Sequence, residues 1–158
     1  SIVARSWAIS AALAAFPISM TASTARLAAI ESRLVKLEGR KLASCLTLVM
    51  IAYGIEFTAE QKARARELGF PGCSQRPSEE AVAEMVGFLT QHLIIVPYSQ
   101  PTRGDCCAFR IKSSESRPDH LGVLTRSGLW HLDNKQGVVV VPFDRRWQDR
   151  LMMVLRRP

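Results

Sequence analysis

The chain has no Cys-x-x-Cys pair and no zinc-ligand spacing. Its four cysteines stand at 45, 73, 106 and 107, and the adjacent pair 106/107 is badly placed for a disulfide. A reduced compartment or free thiols is the simpler reading of that spacing. Basic residues interleaved with aromatics, the pattern of RNA-binding surfaces, are missing, so nucleic acid is not an expected partner. There is no internal repeat and no low-complexity segment. No apolar run is long enough to span a membrane, because the stretch Trp7–Phe16 is short and Pro17 interrupts it. With Arg5 before it and Ala22-Ser23-Thr24-Ala25 after it, that stretch resembles a signal peptide. The reading preferred here is an N-terminal helix over 2–16 packed on the domain. Histidine is scarce too, at three residues, which leaves few candidates for a general base.

What is present is one domain's worth of chain, 158 residues with 47% hydrophobic content, enough for a real core. Lys and Arg number 21 against 14 Asp and Glu, a formal charge of +7. That balance favours an anionic partner, and the basic residues are spread along the chain rather than run together.

The stretch Leu42–Gly54 organises the rest. Ser44 is a good helix N-cap, Gly54 suits a left-handed closing residue, and nearly everything between is apolar. The spacing predicts a buried helix with Cys45 in its first turn, where the helix dipole favours a thiolate. Upstream, Leu27, Ile30, Leu34 and Leu37 mark one face of a helix over Thr24–Leu37, with Arg26, Arg33 and Lys36 expected toward solvent. Downstream, Thr58-Ala59-Glu60-Gln61 is a capping box opening a charged helix that ends at Gly69. Turn residues make 71–77, with Cys73, a loop. Ser78 caps a helix running to about His92, where a capping or structural role is expected of the imidazole. After Pro97 the pattern turns to short strands at Asp105–Lys112, His120–Thr125, Gly128–Leu132, Gly137–Pro142 and Leu151–Arg156, with one helical turn in Phe143–Arg150. Helices first and strands second predict an α+β domain whose helices pack on an antiparallel sheet of about five strands, joined as a meander.

A cysteine nucleophile needs a base within hydrogen-bond reach and a group to orient that base. His120 begins one strand and His131 lies mid-strand in the next. If the two form a hairpin about Arg126–Ser127, parity lets both rings point to one face. Laid against the start of the Cys45 helix, that face would supply a base and its orienting partner. The same three side chains could instead bind zinc, and Asp105-Cys106 is a competing nucleophile motif, though it has no helix to carry the thiol.

Four stretches carry a resemblance. They are Ser44-Cys45-Leu46-Thr47-Leu48-Val49 with Tyr53-Gly54-Ile55; Gly104-Asp105-Cys106-Cys107-Ala108-Phe109-Arg110; Asp119-His120-Leu121-Gly122-Val123; and Trp130-His131 followed by Gly137-Val138-Val139, Trp147, Arg150 and the closing Leu155-Arg156-Arg157-Pro158. In order and spacing they resemble the NlpC-type cell-wall cysteine peptidases, a papain-like family, and in particular its bacteriophage and gene-transfer-agent tail branch. The resemblance covers about 42–158 and leaves 1–41 as an N-terminal helical extension. It implies a papain-like fold and a cofactor-free, metal-free hydrolase of peptidoglycan stem peptides. Cys45 would be the nucleophile, His120 the general base and acid, and His131 the orienting residue, with the oxyanion on backbone N–H groups at the helix start. It further implies a place at the tip of a phage-like tail beside other tail-tip or baseplate proteins, after synthesis in the bacterial cytoplasm, for action on the periplasmic wall. The family's Asp before the cysteine is Ser44 here, and its Ser-Gly after it is Leu46-Thr47. A member that has lost catalysis and serves as a structural tail-tip or hub component is the alternative.

Overall fold

The computed structural model describes residues 18–68, 78–96, 100–111 and 117–158. The helix expected over 2–16, Pro17, Gly69, the loop at 71–77 with Cys73, and Pro97 lie outside the described residues. In chain order the elements are α1 (Ile18–Leu37), α2 (Cys45–Tyr53), α3 (Ala59–Glu67), α4 (Glu79–Leu89), β1 (Ile94–Ile95), β2 (Cys106–Phe109), β3 (His120–Thr125), β4 (Gly128–Asp133), β5 (Gly137–Val141), α5 (Arg145–Gln148) and β6 (Leu151–Arg156). The fold is α+β, helices followed by an antiparallel sheet.

Each expected helix forms for the reason its sequence gives. Ser44, Thr58 and Ser78 all cap, each hydroxyl accepting from the amide three residues on. The Thr58 box is closed in both directions, with Thr58 N–H donating to Gln61 Oε1 at 2.9 Å. Helix α1 begins earlier than the apolar spacing indicated. No glycine or proline separates Ile18 from Thr24, so the helix continues on propensity beyond the face it buries. Arg33 departs from its expected place in solvent: it is half-buried, and its Nη1 donates to the Ala52 carbonyl at 3.1 Å. The carbonyls at the end of α2 have no helical partner of their own, and a guanidinium satisfies one while matching the negative end of the dipole.

The sheet runs β1-β6-β2-β3-β4-β5, every neighbour antiparallel. Strands β2 to β5 form the expected meander. Strand β6 departs from it by crossing back to lie between β1 and β2. Strand β1 went unforeseen because two residues cannot show an alternation. Strand β2 stops short of Lys112 because its pairing with β6 shifts register at Ala108/Phe109, and the amide of Ile111 is taken by the Asp119 carboxylate at 2.7 Å.

Apolar residues pack on both faces of the sheet. On one face Leu121, Val123, Trp130 and Leu132 meet Leu46, Val49 and Met50 of α2, with Ile30 and Leu34 of α1 and Met85 and Leu89 of α4 behind. On the other, Cys107, Phe109, Leu124 and Leu129 meet Phe143 and Trp147 around α5. Ile30, Leu34 and Leu37 of α1 thus share one core with the sheet.

One buried knot ties these layers together. Asp105, 1% exposed, accepts from Arg156 Nε and Nη2 of β6, both at 2.9 Å, and from the Thr102 amide at 2.7 Å. Its backbone carbonyl takes the Leu124 amide of β3. Beside it, the Tyr53 hydroxyl at the end of α2 donates to the Gly104 carbonyl at 2.6 Å, and Arg157 Nη2 donates to the Tyr53 carbonyl at 2.8 Å. Charge-assisted, bidentate bonds of this kind are the strong ones. Arg156→Ala would leave a buried carboxylate unpaired and should cost about 3 kcal/mol, the low end for such a pair because the arginine is partly exposed. Tyr53→Phe should cost about 1 kcal/mol. Urea denaturation of the two variants checks both values, and Asp105→Asn combined with Arg156→Met should recover most of the first loss.

Candidate active site

Helix α2 sets the position of Cys45. Ser44 is extended (φ −158°, ψ 164°) and its Oγ accepts from the Thr47 amide at 3.3 Å. At the other end Gly54 takes φ 67°, which lets its own amide and that of Ile55 close on the Ile51 and Met50 carbonyls. The Arg33 guanidinium lies over Gly54, 3.1 Å from where a Cβ would stand. The closing end is fixed to the sheet through Tyr53 and Gly104, and the Gly104 amide donates to Leu124 near the finish of β3. The helix packs on β3, whose first residue is His120. The cysteine is half-buried, at the edge of the α2-side core.

The structure brings His120 and His131 together. His131 pairs with Gly122, two residues along β3 from His120, so the rings share a sheet face as parity allowed. His120 Nε2 and His131 Nδ1 are 3.1 Å apart. Gly122 keeps this corner open, since a Cβ there would stand 2.8 Å from Leu129 Cδ1 and 2.9 Å from the Trp130 carbonyl oxygen. The histidine face is the one bearing Phe109, Leu129 and Trp147. Helix α2 covers the opposite face. Contrary to the expectation from sequence, the histidine face is thus not the one laid against the Cys45 helix; strand alternation puts both rings on the side that α2 does not cover.

Burial, reinforced by the neighbouring His120, lowers the His131 pKa to about 4. His131 is thus a neutral imidazole at physiological pH. The two nitrogens can share one hydrogen bond, whose donor is set by the tautomers of the rings.

Trp147 walls this pair, and the sequence reading had not given it that role. Its ring centroid lies 4.7 Å from that of His131 and 6.0 Å from that of His120, the latter nearly parallel at 28°. The signal was there: Asp144 caps the turn, and Trp147 is the residue whose amide Asp144 receives, so its side chain is held against the sheet. Its indole N–H is buried with no hydrogen-bond partner among the described residues. His92 is exposed at the end of α4, where it meets only the Phe88 ring among described aromatic contacts. Cys106 and Cys107 are fully buried in β2, and burial pushes both thiols well above their ordinary pKa. Cys106 is therefore unsuited to be a nucleophile. Among the described residues no three His, Cys, Asp or Glu side chains converge as metal ligands, and no helix is long and apolar enough to cross a membrane.

No protein-family model matches the chain. No curated protein matches it either. Among solved structures it is similar to a protein of Staphylococcus aureus subsp. aureus Mu50 described as similar to a lipoprotein of the NLP/P60 family, at 19% identity and a TM-score of 0.44. The similarity covers 84% of this chain and 41% of that one, so this chain spans less than half of that protein's length.

The neutral state of His131 gives a pH dependence. Its folded pKa, about 4, lies below the ordinary value of 6.5, so the unfolded chain binds the extra proton between those two limits. Its contribution to stability is complete above about pH 6.5 and is lost as pH falls toward 4, by about 3 kcal/mol at most. His131→Asn keeps an acceptor and removes the titration. Denaturation midpoints measured from pH 7 to 4 should fall less steeply for that variant than for the parent.

Proposed function

We propose that this protein is a cysteine peptidase acting on the stem peptides of peptidoglycan, with Cys45 as nucleophile, His120 as general base and acid, and His131 as the orienting residue. The observation that carries the reading is the His120 Nε2 to His131 Nδ1 contact of 3.1 Å, made by a His131 that burial keeps neutral. In a cysteine–histidine pair the orienting group must occupy one ring nitrogen so that the other faces the thiol, and His131 occupies Nε2.

In the first half-reaction His120 Nδ1 takes the Cys45 proton. The thiolate adds to the peptide carbonyl, and the oxyanion sits against first-turn backbone N–H groups of α2. Collapse releases the amine, which takes the proton from His120, and leaves a thioester. In the second, His120 deprotonates water, which adds to the thioester. Breakdown releases the carboxylic acid and returns the proton to Cys45. The formal charge of +7 suits an anionic polymer. The sequence motifs extend the proposal to a tail-tip component of a phage-like particle, made in the cytoplasm and working on the periplasmic side of the wall.

Cys45→Ala should abolish release of peptide fragments from purified peptidoglycan, while His131→Asn should retain part of the rate and lose roughly 10²-fold in kcat. On the parent protein, iodoacetamide should alkylate Cys45 well ahead of Cys106 and Cys107 near neutral pH, followed by mass spectrometry. An inert Cys45, with intact fold and assembly into tails, would establish the structural tail-tip reading instead.

A further inference from the structure

One side chain lies against both imidazoles of the histidine pair. The Trp147 ring is 4.7 Å from that of His131 and 6.0 Å from that of His120, centroid to centroid. Phe109 meets it edge-on at 5.1 Å, and Phe143 lies 6.3 Å from Phe109. Phe109, Phe143 and Trp147 belong to the buried cluster of the histidine face, which leaves the indole little room to move away. Among the described residues its N–H has no hydrogen-bond partner. A phenyl ring would fill an apolar cluster without burying that donor, so the cost of an unpaired N–H implies a use for the larger ring.

The two imidazoles differ in what holds them. His120 is buried, whereas His131 is half-buried. A half-buried imidazole has a second place to go: it can turn outward into water and take a proton there. The charged groups around it pull in both directions. Asp133, on the same strand and face, favours a proton on His131, and its carboxylate stays ionised because the Lys135 and Gln136 amides donate to it at 2.8 and 3.0 Å. Arg146 on α5 and His120 on β3 oppose that proton. The strand positions directly across carry no charge: Gly122 of β3 and Val139 of β5 pair with His131, and Phe109 of β2 pairs with His120. Cys107 of β2, in the same cluster, keeps its thiol proton through burial. The contact of 3.1 Å between His120 Nε2 and His131 Nδ1 therefore needs a neighbour that denies His131 the outward turn.

We propose that Trp147 is a positioning residue: its ring occupies the space beside both imidazoles and keeps His131 turned toward His120, away from water. The α5 turn delivers it there, since Asp144 caps that turn and its carboxylate receives the Trp147 amide. The consequence for catalysis rests on the peptidase reading above, in which His131 orients His120. Trp147 acts through that pair and takes no part in bond making.

The test follows the imidazoles directly. The full chain, isotope-labelled at its histidine and tryptophan side chains, is titrated from neutral to acid pH by NMR as the parent, Trp147→Leu, Trp147→Phe and Phe143→Leu. In the parent His131 should titrate near 4, and the ring proton it shares with His120 should exchange slowly with water. Trp147→Leu should raise the His131 midpoint by about 1.5 pH units and speed exchange of that proton roughly tenfold. Trp147→Phe, which keeps a smaller ring in place, should raise the midpoint by about half as much. Phe143→Leu loosens the same cluster from a residue with no described ring contact to a histidine, and should leave both readouts where they are. A His131 midpoint that Trp147→Leu does not move, or that Phe143→Leu moves as far, overturns the proposal. Should the Leu variant fail to fold, the parent decides: its Trp147 indole signal should shift through the His131 midpoint, and an indole signal blind to that titration overturns the proposal as well. On peptidoglycan, the acid limit of cleavage should rise together with the His131 midpoint. Absence of cleavage by the parent protein is the failure of the peptidase reading, and the titration still judges Trp147 by itself.

Discussion

The bidentate pair between Asp105 and Arg156 fixes where everything else stands. A carboxylate with 1% exposure is stable only with its lone pairs filled, and Asp105 fills them with one local partner, the Thr102 amide three residues back, and one distant partner, Arg156 at the end of β6. Its backbone reaches β3 as well. Because Tyr53 bonds to the adjacent Gly104, the same knot anchors the closing end of α2. A rigid helix anchored at one end has its other end located too. The position of Cys45 is in this sense decided about two helical turns away, by an ion pair that touches no substrate.

Around that frame two similar side chains stand in different surroundings. Burial and the neighbouring His120 keep His131 neutral, while His120 stands at the start of its strand. The difference comes from place in the fold, since both are histidines on one face of one hairpin. Gly122 is the condition for it. A Cβ at that position would stand 2.8 Å from Leu129 Cδ1 and 2.9 Å from the Trp130 carbonyl oxygen, so the hairpin that carries both rings would have to shift.

Much of this was legible in the residues. Caps are local chemistry, so Ser44, Thr58, Ser78 and Gly54 could be read directly and each does what its side chain or its missing Cβ permits. Strand parity placed His120 and His131 side by side because alternation is a property of the chain alone. Long-range pairing was not legible. Nothing near Arg156 tells that β6 inserts between β1 and β2, nothing near Arg33 that a carbonyl of α2 awaits it, and nothing near His131 that α2 lies on the far side of the sheet. Those facts are settled by packing between segments far apart in sequence. The role of Trp147 falls between: its cap was visible, while its partners were not.

The interior position of β6 has a kinetic consequence. The sheet has high sequence separation built into it, since Arg156 must find Asp105 across 51 positions and Arg157 must find Tyr53 across 104. Contacts of that kind form late, because loop closure is paid before they return anything. During synthesis the ribosome delivers α1 through β5 first, and those elements lack the strand that closes the knot. The helix bearing Cys45 can form in the nascent chain, but its anchorage waits for residues 151–157 to emerge. The helix thus acquires its anchorage only after residues 151–157 have emerged, a built-in delay between making the helix and fixing it in place.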